Sequence, residues 1–151
     1  MTKTIEEIQE KLTPIFKKRQ VALAYLFGSH ARGRVTPLSD MDVAVVFAES
    51  APRKQYFDRE LKLMSDIGDA LHVDRVDIIN LETNKSPLLK HRAVFYGKPL
   101  YITDEVRRFS LERRIMRAYE DTEHIRNTQY QIMRRHLKNK TFGKPEIYVA
   151  T

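Results

Sequence analysis

The sequence predicts an α/β protein in which helices flank a small mixed β-sheet. Two kinds of segment support this prediction: short apolar runs of strand length, and amphipathic runs with helical spacing that lie between them. With 151 residues, 42% of them hydrophobic, the chain can form one compact domain but not two of ordinary size. We therefore expect a single domain over residues 1–151, with a core at about 20–103 and a C-terminal helix at about 104–138.

The first helix begins at a capping box, in which Glu7 follows Thr4 at the third position. Its apolar residues recur at helical spacing: Ile5, Ile8, Leu12 and Ile15. We expect a break or bend near Pro14, because proline removes a backbone donor and its ring clashes with the preceding turn. An apolar run over residues 21–27 then predicts a buried strand.

The second strand is predicted at 42–47, after a short helix that begins around Ser29 and a polar loop that continues through Pro37. An amphipathic helix follows, and its apolar positions are Phe57, Leu61, Met64, Ile67 and Leu71. The apolar segment 73–81 predicts a third strand, because residues with helical patterns lie on both sides of it.

A third helix is predicted to open at Ser86 and Pro87, since proline favours the first turn of a helix. Gly97 and Pro99 end it, and residues 100–102 can add a short strand at the edge of the sheet.

A long helix from about Asp104 to Lys138 completes the predicted fold. One face of it carries Leu111, Ile115, Ala118, Tyr119, Thr122 and Ile125. We expect the helices to pack on one side of the sheet.

Composition limits the classes of function. The chain has no cysteine, which excludes disulfides and thiolate metal sites, and no apolar run approaches the roughly 20 residues of a membrane span. No signal-peptide pattern begins the sequence, so we expect a soluble, cytoplasmic protein. The net charge of +7 invites a nucleic-acid interpretation. However, many of the arginines alternate with acidic residues in the last helix, and such mixed faces are usually solvated, so specific nucleic-acid binding is not favoured.

Two neighbouring patterns carry chemical information. Gly28 and Ser29 close the first apolar run, where a turn can present backbone N–H groups to a phosphate. Asp40 and Asp42 are two residues apart at the start of the second strand, so both carboxylates project to the same face. Paired hard oxygen ligands beside a phosphate-binding turn suit Mg²⁺, which commonly takes one or two protein carboxylates together with water and substrate phosphate.

The combination is more specific than either pattern. Gly28-Ser29, ten further residues and then Asp40-Met41-Asp42, set between two apolar runs, resembles the signature of the polymerase-β-like nucleotidyltransferase superfamily. The resemblance spans about residues 20–103 and implies that superfamily's fold. Because little more than one long helix follows this core, the chain is most similar to the small members called minimal nucleotidyltransferases, or MNT proteins.

The resemblance implies roles for individual residues. The superfamily requires a third carboxylate on a neighbouring strand, for which Asp77 is a better candidate than Asp74 because it directly precedes an apolar pair. Asp40, Asp42 and Asp77 would then bind Mg²⁺, with two ions expected, and Asp77 would assist deprotonation of the attacking hydroxyl. Gly28 and Ser29 would hold the terminal phosphates of ATP, and Arg32 would contact phosphate or stabilise the turn.

Proteins similar to this one are commonly the MntA-type antitoxins of HEPN-domain ribonuclease toxins, which transfer AMP from ATP to a tyrosine of the toxin. The resemblance therefore implies a HEPN toxin as partner and protein adenylylation as activity. Two alternatives stay open: a nucleotidyltransferase that acts on a small molecule or an RNA end, and an antitoxin that neutralises its toxin by binding alone. The absence of a large substrate-binding domain argues against the first alternative, and the intact acidic residues argue against the second.

Overall fold

The computed structural model describes residues 3–31, 33 and 40–140. Helices and strands alternate along the first two thirds of the chain, and two helices follow. They are α1 (Ile5–Lys18), β1 (Val21–Phe27), β2 (Met41–Phe47), α2 (Tyr56–Leu71), β3 (Val76–Asn80), α3 (Pro87–Phe95), β4 (Lys98–Ile102), α4 (Glu105–Asp121) and α5 (Glu123–Lys138). A short 3₁₀ turn, Arg53–Gln55, leads into α2.

The strands form a four-stranded sheet in the order β3-β2-β1-β4. β1 is antiparallel to both of its neighbours, whereas β2 and β3 are parallel. The predicted mixed sheet is therefore confirmed, and the edge strand predicted at residues 100–102 spans Lys98–Ile102. Within the described part of the chain, no helix is long and apolar enough to cross a membrane.

Helices cover both faces of the sheet, so the prediction of helices on one side is wrong. On the first face, Leu12 and Phe16 of α1 and Leu63 and Ile67 of α2 pack against alternate residues of the central strands, such as Val43. We call this the α1/α2 face. Helices are needed on both faces because the residues of β1 and β2 that point to either face are apolar along most of each strand.

The second face, which we call the α3/α4 face, is built from the intervening strand residues. Leu23 and Tyr25 of β1 and Val46 of β2 pack with Ala93 of α3 and Leu111 of α4. Both faces are therefore packed with apolar side chains over the middle of the sheet, and the polar residues predicted for the site lie beyond this apolar region, at one end of the strands.

The local predictions for the helices are largely confirmed. The capping box is present, because Thr4 Oγ1 accepts a hydrogen bond from Glu7 N (3.2 Å) and Glu7 Oε2 accepts one from Thr4 N (2.9 Å). Ser86 caps α3, with Pro87 in its first turn. Pro14 does not break α1, which continues to Lys18.

The predicted apolar face of α2 was partly misplaced. Phe57 is 73% exposed and Leu61 is 48% exposed. Ile67 and Leu71 are buried as predicted, and the helix also buries Tyr56 and Leu63, which pack in the same core as α1 and the sheet.

Three further boundaries differ from the sequence-based expectation. Gly28 to Ala31 form turns and not the start of a helix, because Gly28 has the left-handed φ of 73°. The third strand begins at Val76, so the preceding residues from position 73 lie outside it. The C-terminal segment is helical as predicted, but Thr122, with φ −99° and ψ 3°, separates α4 from α5.

The C-terminal helices differ in how well they are packed. α4 buries Leu111 and Ile115, whereas α5 buries no residue. Ile125, predicted to continue the buried face, is exposed because the helix has already been interrupted at Thr122. Arg126 holds the junction: it donates a hydrogen bond to Tyr119 O (2.7 Å) and another to Thr122 Oγ1.

Candidate functional site

Three predicted carboxylates lie at one end of the sheet. Asp42 of β2 pairs in register with Asp77 of β3 on one side and with Phe27 of β1 on the other. Asp40 immediately precedes β2, two residues before Asp42. Because side chains two residues apart share a face and in-register neighbours project alike, the three carboxylates lie on the α3/α4 face.

The turn after β1 meets this acidic group directly. Gly28 has a left-handed backbone, and a Cβ atom placed on it would collide with Oδ2 of Asp42. Both properties require glycine, because a side chain would strain the backbone and would also displace the carboxylate. Ser29 follows Gly28 in the same turn. The turn and the carboxylates therefore form one continuous site.

Crowding of like charges and burial shape the electrostatics of the site. Burial raises the pKa of Asp42 above its ordinary value, and the charges of Asp77 and Asp40 raise it further. His30 opposes them and lowers the pKa of Asp42. The folded protein therefore makes the ionised form of the Asp42 carboxylate less favourable than its ordinary pKa would give.

Asp40 contributes a poorly satisfied oxygen. Its Oδ1 is buried and has no hydrogen-bond partner among the described residues, where Arg75 Nε forms an ion pair with it at 3.5 Å. The Arg75 side chain is 77% exposed, so this ion pair is largely screened by water. A buried carboxylate oxygen without a hydrogen bond is available to a cation.

The donor chemistry fits Mg²⁺, since all three side chains offer hard oxygen ligands. Among the described residues, no group of three or more His, Asp or Glu side chains is already arranged as a metal cage. A cation would thus be held by the carboxylates together with oxygens from water and substrate, which is the usual coordination of Mg²⁺ beside phosphates.

A groove opens next to the turn. It has a volume of about 620 Å³ and is lined by Phe27, Gly28, Leu89, Arg92 and Tyr96. Gly28 belongs to both the groove and the acidic site, so the two are contiguous. No sequence pattern indicated the groove, because its walls come from the end of β1 and from α3 and its C-terminal cap, which are separated by about sixty residues.

The structure brings together five of the six residues predicted for the site, namely Gly28, Ser29, Asp40, Asp42 and Asp77. Arg32 lies outside the described residues, as do Arg34 and Ser39, so its predicted role stays a prediction. Sequence reasoning missed Arg75, although its place between two aspartates in 74–77 was a signal. It also assigned no role to His30, which opposes the rise in the pKa of Asp42.

Comparison with known proteins agrees with this geometry. Residues 10–106 match the model of the family described as Polymerase beta, Nucleotidyltransferase. A protein of Methanocaldococcus jannaschii that carries the provisional name protein adenylyltransferase is 35% identical over 88 residues, which cover 58% of this chain and 88% of that protein.

Solved structures show the same architecture. One chain of a toxin–antitoxin crystal structure with AMP-PNP superposes with a TM-score of 0.66 at 24% identity, covering 82% of this chain and 95% of that one. A chain from the complex of a tri-AMPylated Shewanella oneidensis HEPN toxin with an MNT antitoxin superposes with a TM-score of 0.63 at 22% identity, covering 85% and 97%. At these identities the likeness is one of fold.

Proposed function

This chain belongs to the polymerase beta nucleotidyltransferase family, and from that premise we propose that it transfers AMP from ATP to a tyrosine of a HEPN-domain toxin. The transfer would neutralise the toxin, so the protein would act as its antitoxin. The names of similar proteins support the acceptor class: one is named as a protein adenylyltransferase, and another structure holds an AMPylated HEPN toxin with an MNT antitoxin.

One observation carries the proposal: the in-register pair of Asp42 and Asp77 stands against the turn at Gly28. A nucleotidyl transfer needs phosphate-binding donors beside concentrated negative oxygens that can hold cations, and these two requirements meet here. Packing alone gives no reason to place carboxylates together, because their mutual repulsion raises the pKa of Asp42 and costs folding free energy.

Asp40, Asp42 and Asp77 are the proposed Mg²⁺ ligands. When bound, Mg²⁺ would neutralise charge on the triphosphate and on the reacting oxygens. The chain itself supplies the positions: Gly28 and Ser29 orient the phosphates through backbone N–H groups, and the β2 and β3 backbones fix the spacing of the carboxylates. Arg32 is proposed to contact the same phosphates.

The proposed reaction forms one P–O bond and breaks another. The tyrosine hydroxyl oxygen attacks the α-phosphorus of ATP and forms a new P–O bond, while the bond to the oxygen bridging the α- and β-phosphorus atoms breaks and pyrophosphate leaves. Asp77 is the proposed acceptor of the hydroxyl proton. Its side chain is exposed, so an incoming protein hydroxyl can reach it, whereas Asp42 is partly buried behind the turn.

The test is the intact mass of a HEPN-domain toxin co-expressed with this protein, after incubation of the two with Mg²⁺ and ATP. We expect mass increments of one or more AMP units, mapped to tyrosine by peptide mass spectrometry. The double variant Asp40→Ala/Asp42→Ala should give no increment while retaining its fold by circular dichroism.

Other outcomes would overturn parts of the proposal. Suppressed toxin activity without a mass increment would mean neutralisation by binding alone. No effect on the toxin, together with Mg²⁺-dependent release of pyrophosphate when RNA or a small hydroxyl compound is supplied, would assign the same catalytic site to a different acceptor.

A further inference from the structure

We propose that the groove beside Gly28 holds the base of the nucleotide, and that the ring of Tyr96 is the surface on which the base stacks. The inference rests on the proposed function only in taking a nucleoside triphosphate as the donor substrate. It assigns the part of the molecule that binds the nucleoside, for which the sequence pattern offered no candidate.

The groove is continuous with the carboxylate site. Gly28 contacts the Asp42 carboxylate on one side and lines the groove on the other. A nucleotide with its phosphates at the turn therefore has the groove as a neighbouring space, on the same face of the sheet. The volume of about 620 Å³ lies within the roughly 300–1,000 Å³ that is usual for small-molecule sites.

The wall of the groove carries an aromatic, an aliphatic and a positively charged side chain. Tyr96 is 69% exposed although it belongs to a residue type that usually packs, and it stands at the mouth of a groove that also has the aliphatic Leu89. Aromatic side chains bind any base by stacking, because each base has a π face. Arg92 adds a positive charge at the same wall, and it has no ion pair within the described residues.

Ring contacts hold Tyr96 in place before any ligand binds. Tyr96 meets His91 edge to face, with ring centroids 5.7 Å apart, and His91 stacks on Tyr119 at 3.7 Å. Arg126 of α5 lies over the other side of that contact, 3.7 Å from the Tyr119 ring centroid. A column of rings from α3 and α4, closed by a guanidinium from α5, therefore supports the proposed stacking surface.

Close backbone packing fixes the same surface from the other side. A Cβ on Gly97 would collide with Ala93 O and would stand 2.7 Å from Leu26 O, so the residue after Tyr96 is pressed between α3 and β1. Tyr96 is thus held at the end of β1, where the turn begins. A surface ordered before the ligand arrives loses little conformational entropy on binding.

The experiment measures the affinity of the full-length protein for a non-hydrolysable ATP analogue and for inorganic tripolyphosphate, both with Mg²⁺, by calorimetry. The variants are Tyr96→Ala, Tyr96→Phe and, as matched control, Phe57→Ala, which removes an equally exposed ring from the opposite face of the sheet. Tyr96→Ala should weaken the ATP analogue about tenfold or more and leave tripolyphosphate within about twofold, because only the former has a base. Tyr96→Phe and Phe57→Ala should change neither.

Several results would overturn the inference. Unchanged affinity of Tyr96→Ala for the ATP analogue, equal weakening of both ligands, or no binding of the analogue by the wild type would each do so. Unchanged nucleotide affinity with lost modification of the toxin would assign the groove to the acceptor side chain. If the wild type binds nucleotide through Tyr96 yet never modifies the toxin, the inference stands and the proposed function fails.

Discussion

The two faces of the sheet are built from the same strands but serve different purposes. On β2, Met41, Val43 and Val45 point to the α1/α2 face and are fully covered, whereas Asp42 and Ala44 point to the α3/α4 face. α1 and α2 close their face with a continuous apolar core. On the other face, the apolar packing stops short of the strand ends, where the turn, Asp40 and Asp42 are partly covered and Asp77 is exposed to solvent.

This difference separates stability from function within single strands. Apolar burial on the closed face stabilises the fold. This stabilisation offsets the unfavourable repulsion between the carboxylates at the open end. Substitutions on the first face should thus change the free energy of unfolding and leave the chemistry of each folded molecule intact. Substitutions at the open end should mainly lower the rate of transfer and should change the free energy of unfolding by less.

The largest expected effect lies on the closed face. Phe16 is fully buried and stacks on Tyr101 with centroids 5.5 Å apart, so Phe16→Ala should lower the free energy of unfolding by about 3–5 kcal/mol. Urea denaturation of the wild type and the variant measures this change in the free energy of unfolding. Phe109→Ala, at a ring that is 66% exposed, is the control and should change stability by no more than about 0.5 kcal/mol. Similar losses for both variants would contradict the assignment of the core.

At the open end, Asp77→Asn should reduce the rate of AMP transfer by about 10²- to 10³-fold, because it removes a charge that acts in the transition state. The thermal midpoint should hardly change, since Asp77 is exposed. Asp74→Asn is the matched control, an exposed carboxylate three residues earlier that lies outside β3. If the two variants lose activity equally, Asp77 has no special role.

A glycine pair tests the contact between the turn and the carboxylates. Gly28 and Gly33 both have left-handed backbones, with φ of 73° and 71°, so alanine costs each about 1–2 kcal/mol. Only at Gly28 would the new Cβ meet Asp42, since a Cβ on Gly33 meets no atom within 4 Å. Gly28→Ala should therefore lose about tenfold more transfer rate than Gly33→Ala. Equal loss would show that backbone strain alone matters.

The smallest effect is a gain of stability. Folding raises the pKa of Asp42 above its ordinary value of 3.8, so ionisation costs the folded state more than the unfolded state. That cost is fully present above the raised pKa and is lost as the pH falls below 3.8. When a chelator is present to remove divalent cations, Asp42→Asn should raise the midpoint of thermal unfolding at pH 7. This gain in stability should shrink as the pH falls.

The control for this pH dependence is Asp69→Asn, an exposed carboxylate on α2. It should give no comparable gain at pH 7. A gain for Asp42→Asn that persists unchanged into acid would mean that packing of the amide, and not removal of charge, stabilises the variant.

Local chemistry made parts of this molecule predictable. The capping box at Thr4 and the proline at the start of α3 act within a few residues, so both helix starts could be read from the sequence. The alternation of strand side chains likewise placed Asp40 and Asp42 on one face before any partner strand was known.

The order of most elements, the starts of α1 and α3 and the shared face of Asp40 and Asp42 could be predicted from the sequence, because each depends on neighbours along the chain. Three features follow from long-range packing: helices cover both faces, Asp42 stands in register with Asp77, and Tyr96 lines one groove with Phe27 of β1. These features depend on which distant segments pack together, and local spacing carries no information about that choice.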